Sequence, residues 1–288
     1  MTLLSILTGL GVEYFLTSLD PIRNFSWYEE YSNWLERQCN RYSFWDGAAG
    51  VLLTVAVPLA VLFLVIWWLN SIWFVLSFIL SIFIFIYCVG SDLNSLLNGY
   101  IEALQADDEG SISGIEHQLN RGNNSSGTDE TVIIRSVLLR AHEHLFGVIF
   151  WFIVLGMVGA LLFCLIARMN DKYRDMHGAY AEAVRDFHRV LIWPSARILA
   201  LGLALGGSLV DALEGWRRVK GHTLDCSEDV VVMSGYGALQ YQRQEIADEN
   251  ARKDSHLAHT QELQALLNRT LIIWLTVLGI MTLSGYVS

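Results

Sequence analysis

The chain has no run of Lys and Arg and no aromatic RNA-binding motif, and its 19 basic residues against 29 acidic ones leave a formal net charge of −10. Nucleic-acid recognition rests on neutralising phosphates, so this balance excludes it. Cysteine is sparse and scattered. Cys39, Cys88, Cys164 and Cys226 form neither a CxxC metal site nor a disulfide framework, which fits soluble parts in a reducing compartment. The first twenty residues lack the basic n-region of a signal peptide. No Lys or Arg precedes Arg23, and Glu13 interrupts the apolar stretch, so the segment is expected to stay in the mature protein. No GxxxxGK[ST], GxSxG or S-x-x-K motif occurs, and no GxGxxG follows a predicted strand.

What the chain does have is apolar sequence in blocks. It is 53% hydrophobic with a mean hydropathy of +0.38, high for a soluble protein of 288 residues. Residues 48–69 and 72–89 carry no charge and exceed the length a soluble core helix needs. The expected fold class is all-α. It is a single polytopic helical membrane domain over residues 1–288, with five to six membrane segments and two cytoplasmic helical insertions, 92–143 and 211–269. The lipid bilayer is the partner that composition itself implies.

In chain order, residues 2–18 predict a short helix, either a tight span or a segment tucked among the others. Residues 20–46 are aromatic and charged (Trp27, Tyr28, Tyr31, Trp34, Tyr42, Trp45). That suits an interfacial amphipathic helix anchored by its rings, with a ligand-lining role as the alternative. Residues 47–69 and 72–91 predict an antiparallel membrane hairpin. Residues 92–106 show helical spacing ended by Asp107-Asp108-Glu109, and 121–128 read as a loop. Residues 145–167 are the next expected span, 168–189 a short loop, and 270–287 the last span. With residues 2–18 counted as a span, 20–46 and both insertions share one side, which carries thirteen of the 19 Lys and Arg. Five more, in 168–189, fall across the membrane. The positive-inside tendency then places the soluble regions in the cytoplasm.

The most informative run is residues 185–210. It is long enough to cross a bilayer yet holds Pro194 and Arg197 in its first half. An arginine at membrane depth is costly and finds a partner or a water-filled cavity, and the proline frees a backbone carbonyl. Glu13, Glu143, Trp193, Pro194 and Arg197 are therefore the candidates for an anionic-ligand site or an intramembrane ion pair, with Glu13 either solvated near the interface or paired with Arg197. Gly202 and Gly206 form a small-xxx-small face for helix packing. His142-Glu143-His144 places its imidazoles about 200° apart on a helix, unlike HExxH, which leaves Glu143 as a cavity candidate. His256, His259 and Glu262 share a helix face. No further ligand lies near in sequence, so a solvated face is the expectation and no metal site is assigned. Ser234, Gly235 and Gly237 offer backbone N–H groups for a candidate anion loop at a helix start.

Tyr173-Arg174-Asp175, the stretch from Trp193 to Leu199, Phe150-Trp151 and the segment 156–161 together resemble the AmpE/CobD-CbiB membrane proteins. The cobalamin branch of that family joins a corrinoid carboxylate to an amino-alcohol phosphate, and its pattern has a Tyr-Arg-Asp followed by a Trp-x-Pro-x-Arg. Here Trp193 and Arg197 keep the spacing while Pro194 falls one position earlier. Leu139 and Arg140 replace that branch's Glu-Asn, Glu143 takes the place of its Asp, and Ala167-Arg168-Met169-Asn170 replaces its Asn-Thr-Leu-Asp. The AmpE branch shares this loss of polar residues. The resemblance implies a multi-pass protein of the bacterial inner membrane with a regulatory role in β-lactamase induction and cell-wall recycling, without catalytic activity of its own. Its protein partner in recycling is unnamed, and a homodimer is compatible. The alternative it implies is an amide-forming synthase using ATP and Mg, and a nucleotide with Mg enters only on that basis.

Overall fold

A computed structural model describes residues 2–15, 25–39, 45, 47–72, 74–90, 93–119, 130–219, 221, 223–241 and 249–284. Among these every regular element is a helix, and five helical stretches are long and apolar enough to cross a membrane. This is a multi-pass helical membrane protein. The chain divides into two compact units: residues 1–91, 147–192 and 281–288 form one, and residues 92–146 with 193–280 form the other.

In the first unit, α1 (Thr2–Phe15), α3 (Ala48–Ile72) and α4 (Phe74–Cys88) supply the apolar body. Lipid explains the outward face of α3, where Trp67 is 68% exposed and Phe63 61%, since an apolar patch of that extent is unfavourable in water. The described part of α1 has 14 residues and so rises about 21 Å, short of the roughly 30 Å of a hydrocarbon core. It lies instead against α4. There Ser81 donates to the Ser5 hydroxyl (3.1 Å), and Gly9 faces the Phe85 ring so closely that a Cβ would press into it.

α2 (Ser26–Cys39) is amphipathic. Tyr28, Ser32 and Leu35 are buried while Trp27 and Trp34 stay exposed, and the Trp27 indole donates to the Tyr87 hydroxyl (2.7 Å). One apolar face against protein and indoles on the other suit a helix at the membrane surface.

The expected span 145–167 is interrupted within its apolar run. α8 (Gly147–Tyr173) is broken at Gly156, whose φ of +67° and ψ of −152° are open to glycine and costly for any residue with a Cβ. Eight residues along a straight helix are about 12 Å apart. Here Gly159 packs directly onto the Trp151 carbonyl and Leu155, with no room for a Cβ between them. The chain therefore bends back sharply inside its apolar run.

The expectation that 20–46 and 168–189 face opposite sides does not hold where their described residues meet. Lys172 donates to Asn33 (2.6 Å) and Ser32 (3.3 Å), and the Tyr173 hydroxyl donates to Glu36 (3.2 Å). At the start of α9 (Ala179–Gly206), Tyr180 stacks on Trp45 and pairs with Thr54 on α3. α2 and the α8–α9 turn thus share one end of the unit instead of facing each other across a bilayer. The loop is also shorter than expected, because α8 runs to Tyr173 and α9 starts at Ala179.

The second unit holds both expected insertions together with the Arg197 segment. Its helices are α5 (Leu93–Ala106), α6 (Glu109–Leu119), α7 (Glu130–Ala141), α10 (Leu209–Arg218), α11 (Ser227–Ala238) and most of α12 (Glu249–Leu283). α5 ends at Ala106, and Asp108 accepts from Gly110 N–H, Ser111 N–H and Ser111 Oγ to start α6, an N-cap that explains why the acidic triplet stops one helix and opens another. α12 continues without interruption from its polar half into the last apolar stretch.

Gly156→Ala is expected to lower stability in detergent by about 1–3 kcal/mol, the usual cost of a sparsely populated backbone conformation. Gly114→Ala on α6, where a Cβ meets open space, should be neutral or slightly stabilising. Thermal melts of both variants check the contrast; equal shifts would remove the argument for a break at Gly156.

Candidate functional site

The polar centre of the second unit forms where the α9 segment beyond Ile192 meets α11 and the turn after α7. Pro194 lies inside α9 and orphans the carbonyl of residue 190. The next carbonyl, that of Leu191 in the first unit, accepts from the Trp151 indole (3.0 Å). Just after the proline, Ser195 is fully buried and its hydroxyl pairs with His142 Nε2 (2.9 Å). His142 opens a π-helical turn, His142–Phe146. Such turns insert one residue into a helix and occur often at functional sites. The ring is fully buried, and among the described residues its Nδ1 has no hydrogen-bond partner. Glu143 is the next residue in that turn and half-buried.

Arg197 is half-buried. Its guanidinium lies 4.2 Å over the Trp193 ring, and Nη1 donates to the Trp193 carbonyl (3.0 Å) and to Ser227 Oγ (3.4 Å). Ser227 in turn donates to the Leu224 carbonyl (2.9 Å), which fixes its oxygen toward the arginine. Among the described residues Arg197 meets no carboxylate, and its Nε and Nη2 have no acceptor. The proposed partner Glu13 has a side chain outside those described.

Gly202 and Gly206 face α12. A Cβ at Gly202 would press on Trp274 and one at Gly206 on Thr270, while Arg269 donates to the Gly206 carbonyl (3.1 Å) and so caps the end of α9. Ser234, Gly235 and Gly237 do not form an anion loop. They lie in the later turns of α11, so their N–H groups serve the helix itself. The glycines have a packing role. Gly237 meets the Asp211 carbonyl, Gly215 the Met233 carbonyl, and Gly235 the Leu138 side chain, all too closely for a Cβ. The result is a tight α10–α11 hairpin in which Ser208 N–H donates to the Ala238 carbonyl (3.0 Å).

The expectation of a solvated face at His256 and His259 also changes. His259 Nδ1 pairs with Glu130 Oε1 (2.6 Å), and His256 Nε2 with the buried Tyr100 hydroxyl (3.4 Å), which donates to Glu116 (3.1 Å). Partners from α5, α6 and α7 cover this face, each more than a hundred residues away along the chain. Local sequence carries no signal for them, nor for the pairing of His142 with Ser195. Among the described residues no three His, Cys, Asp or Glu side chains come together as a metal site.

Ser195→Ala would leave both ring nitrogens of His142 without a protein partner, at an expected cost of about 1–3 kcal/mol, readable as a lower thermal midpoint. Asp211 gives a pH signature. Hydrogen bonds from Ser208 and then Gln240 hold its carboxyl below the ordinary 3.8. A depressed carboxylate contributes stability that is present above its unfolded-state value and lost as pH falls through the folded one. The gap in thermal midpoint between the wild type and Asp211→Asn should therefore close below about pH 4 and stay constant above pH 5; a gap that widens on acidification would contradict this. No family model, curated protein or solved structure matches the chain.

Proposed function

We propose that this chain is a regulatory membrane protein that recognises an anionic ligand at Arg197. The observation that carries the reading is the setting of that guanidinium. It is oriented by the Trp193 ring, the Trp193 carbonyl and Ser227, with two of its nitrogens unengaged among the described residues. A fork held by neutral groups keeps its charge available to a carboxylate or phosphate.

The resemblance of Tyr173-Arg174-Asp175 and of the stretch from Trp193 to Leu199 to the AmpE branch supplies the biological setting of the proposal: the bacterial inner membrane, β-lactamase induction and cell-wall recycling. A cytoplasmic position for the end of the first unit bearing α2 and the α8–α9 turn is supported by Arg37, Arg168, Lys172, Arg174, Arg185 and Arg189, which lie along these segments.

Two measurements test the reading. Native mass spectrometry of purified wild type should show a co-purifying anionic mass, which Arg197→Lys weakens while keeping the fold, since the bidentate fork is lost. In cells challenged with a β-lactam, loss of the gene should change β-lactamase activity severalfold. Equal ligand retention in both proteins would refute the Arg197 site. A corrinoid or ATP mass in place of a cell-wall fragment would favour amide synthesis, and unchanged induction would overturn the regulatory role.

A further inference from the structure

Arg168 and Lys172 stand one turn apart near the end of α8, in the first unit, whereas Arg197 belongs to the second. Both are half-buried. The Arg168 guanidinium lies 4.6 Å over the Phe25 ring at the start of α2 and reaches the Cys164 thiol. The Lys172 ammonium lies 5.0 Å over the Tyr173 ring and donates to Asn33 Oδ1 (2.6 Å) and Ser32 Oγ (3.3 Å). Among the described residues neither cation has a carboxylate at ion-pair distance. Of the acidic groups on α2 that Lys172 feels, Glu36 takes the Tyr173 hydroxyl and Glu29 is exposed. Cations in a last helical turn also favour the helix dipole. That explains basic residues here, but not a partner set made of aromatic faces, a thiol, an amide and a hydroxyl.

Two further donors lie on α2. Tyr28 is 2% exposed, and among the described residues its hydroxyl and that of Tyr31 have no hydrogen-bond partner. The Tyr28 and Tyr31 rings stack at 6.2 Å, and burial together with neighbouring Tyr180, Tyr31 and Tyr173 pushes the Tyr28 phenol well above its ordinary range. It is a neutral donor at any physiological pH. The exposed Trp27 and Trp34 mark this end of the unit as a membrane surface.

We infer that Arg168 and Lys172 hold a phosphate group at the membrane surface, with α2 as its aromatic cover. Two basic residues at the end of a span match the charge and depth of an anionic phospholipid headgroup. A soluble phosphate is the other source of the same chemistry.

The test uses the purified full-length protein in detergent, titrated with phosphatidylglycerol, phosphatidylcholine or inorganic phosphate and read by native mass spectrometry. Wild type should prefer phosphatidylglycerol over phosphatidylcholine by roughly tenfold, and Arg168→Gln with Lys172→Gln should bring the ratio near unity. Arg197→Lys should leave it unchanged, which separates this site from the one proposed above. Should wild type show no lipid preference but retain inorganic phosphate, with the double variant losing it, the site stands with a soluble source. Absence of both in wild type, or a preference that survives in the folded double variant, would overturn it. If the double variant does not fold, Lys172→Gln alone carries the comparison, and an unchanged ratio then counts against the site.

Discussion

One backbone conformation governs the first unit. A residue at φ +67° and ψ −152° inside an apolar run has to be glycine, because a Cβ in that region collides with the chain's own carbonyls. Gly156 permits the bend, and Gly159 permits the tight contact that the bend creates with Trp151. From that follows the arrangement at one end of the unit, where the last turn of α8, the first turn of α9, α2 and the start of α3 meet through Lys172, Tyr173, Tyr180 and Trp45.

In the second unit the governing constraint is polar satisfaction in an apolar surrounding. His142, Ser195 and Arg197 lie on stretches apolar enough for membrane insertion, where an unpaired polar group is costly. The chain answers with short-range solutions. The hydroxyl after Pro194 takes the imidazole, and Arg197 leans on its own preceding turn through Trp193. Glycine does the complementary work between helices. The α10–α11 hairpin and the contact of α9 with α12 both place backbone or side-chain atoms where a Cβ would stand.

What was legible in the sequence follows from the range of the interactions involved. Apolar blocks reveal helices and membrane class because burial is proportional to local composition. The acidic triplet at 107–109 reveals a helix boundary because a cap acts within one turn. Arg197 and Pro194 are conspicuous because their cost is local. The break at Gly156 was not legible, since the chain has 23 glycines and nothing nearby tells which one leaves the helix. Ser234, Gly235 and Gly237 misled for the same reason, because glycine for anion contact and glycine for close packing look alike in composition. The partners of His142, His256 and His259 come from distant segments, which no periodicity reports.

The break carries the account's central claim, that α2 and the α8–α9 turn share one membrane face. The direct measurement is side-specific thiol labelling in a cysteine-free background, with Gln38→Cys and Met176→Cys introduced singly at exposed positions. A membrane-impermeant maleimide applied to oriented vesicles should label both from the same side. Labelling from opposite sides would contradict the contacts of Lys172 and Tyr173 with α2.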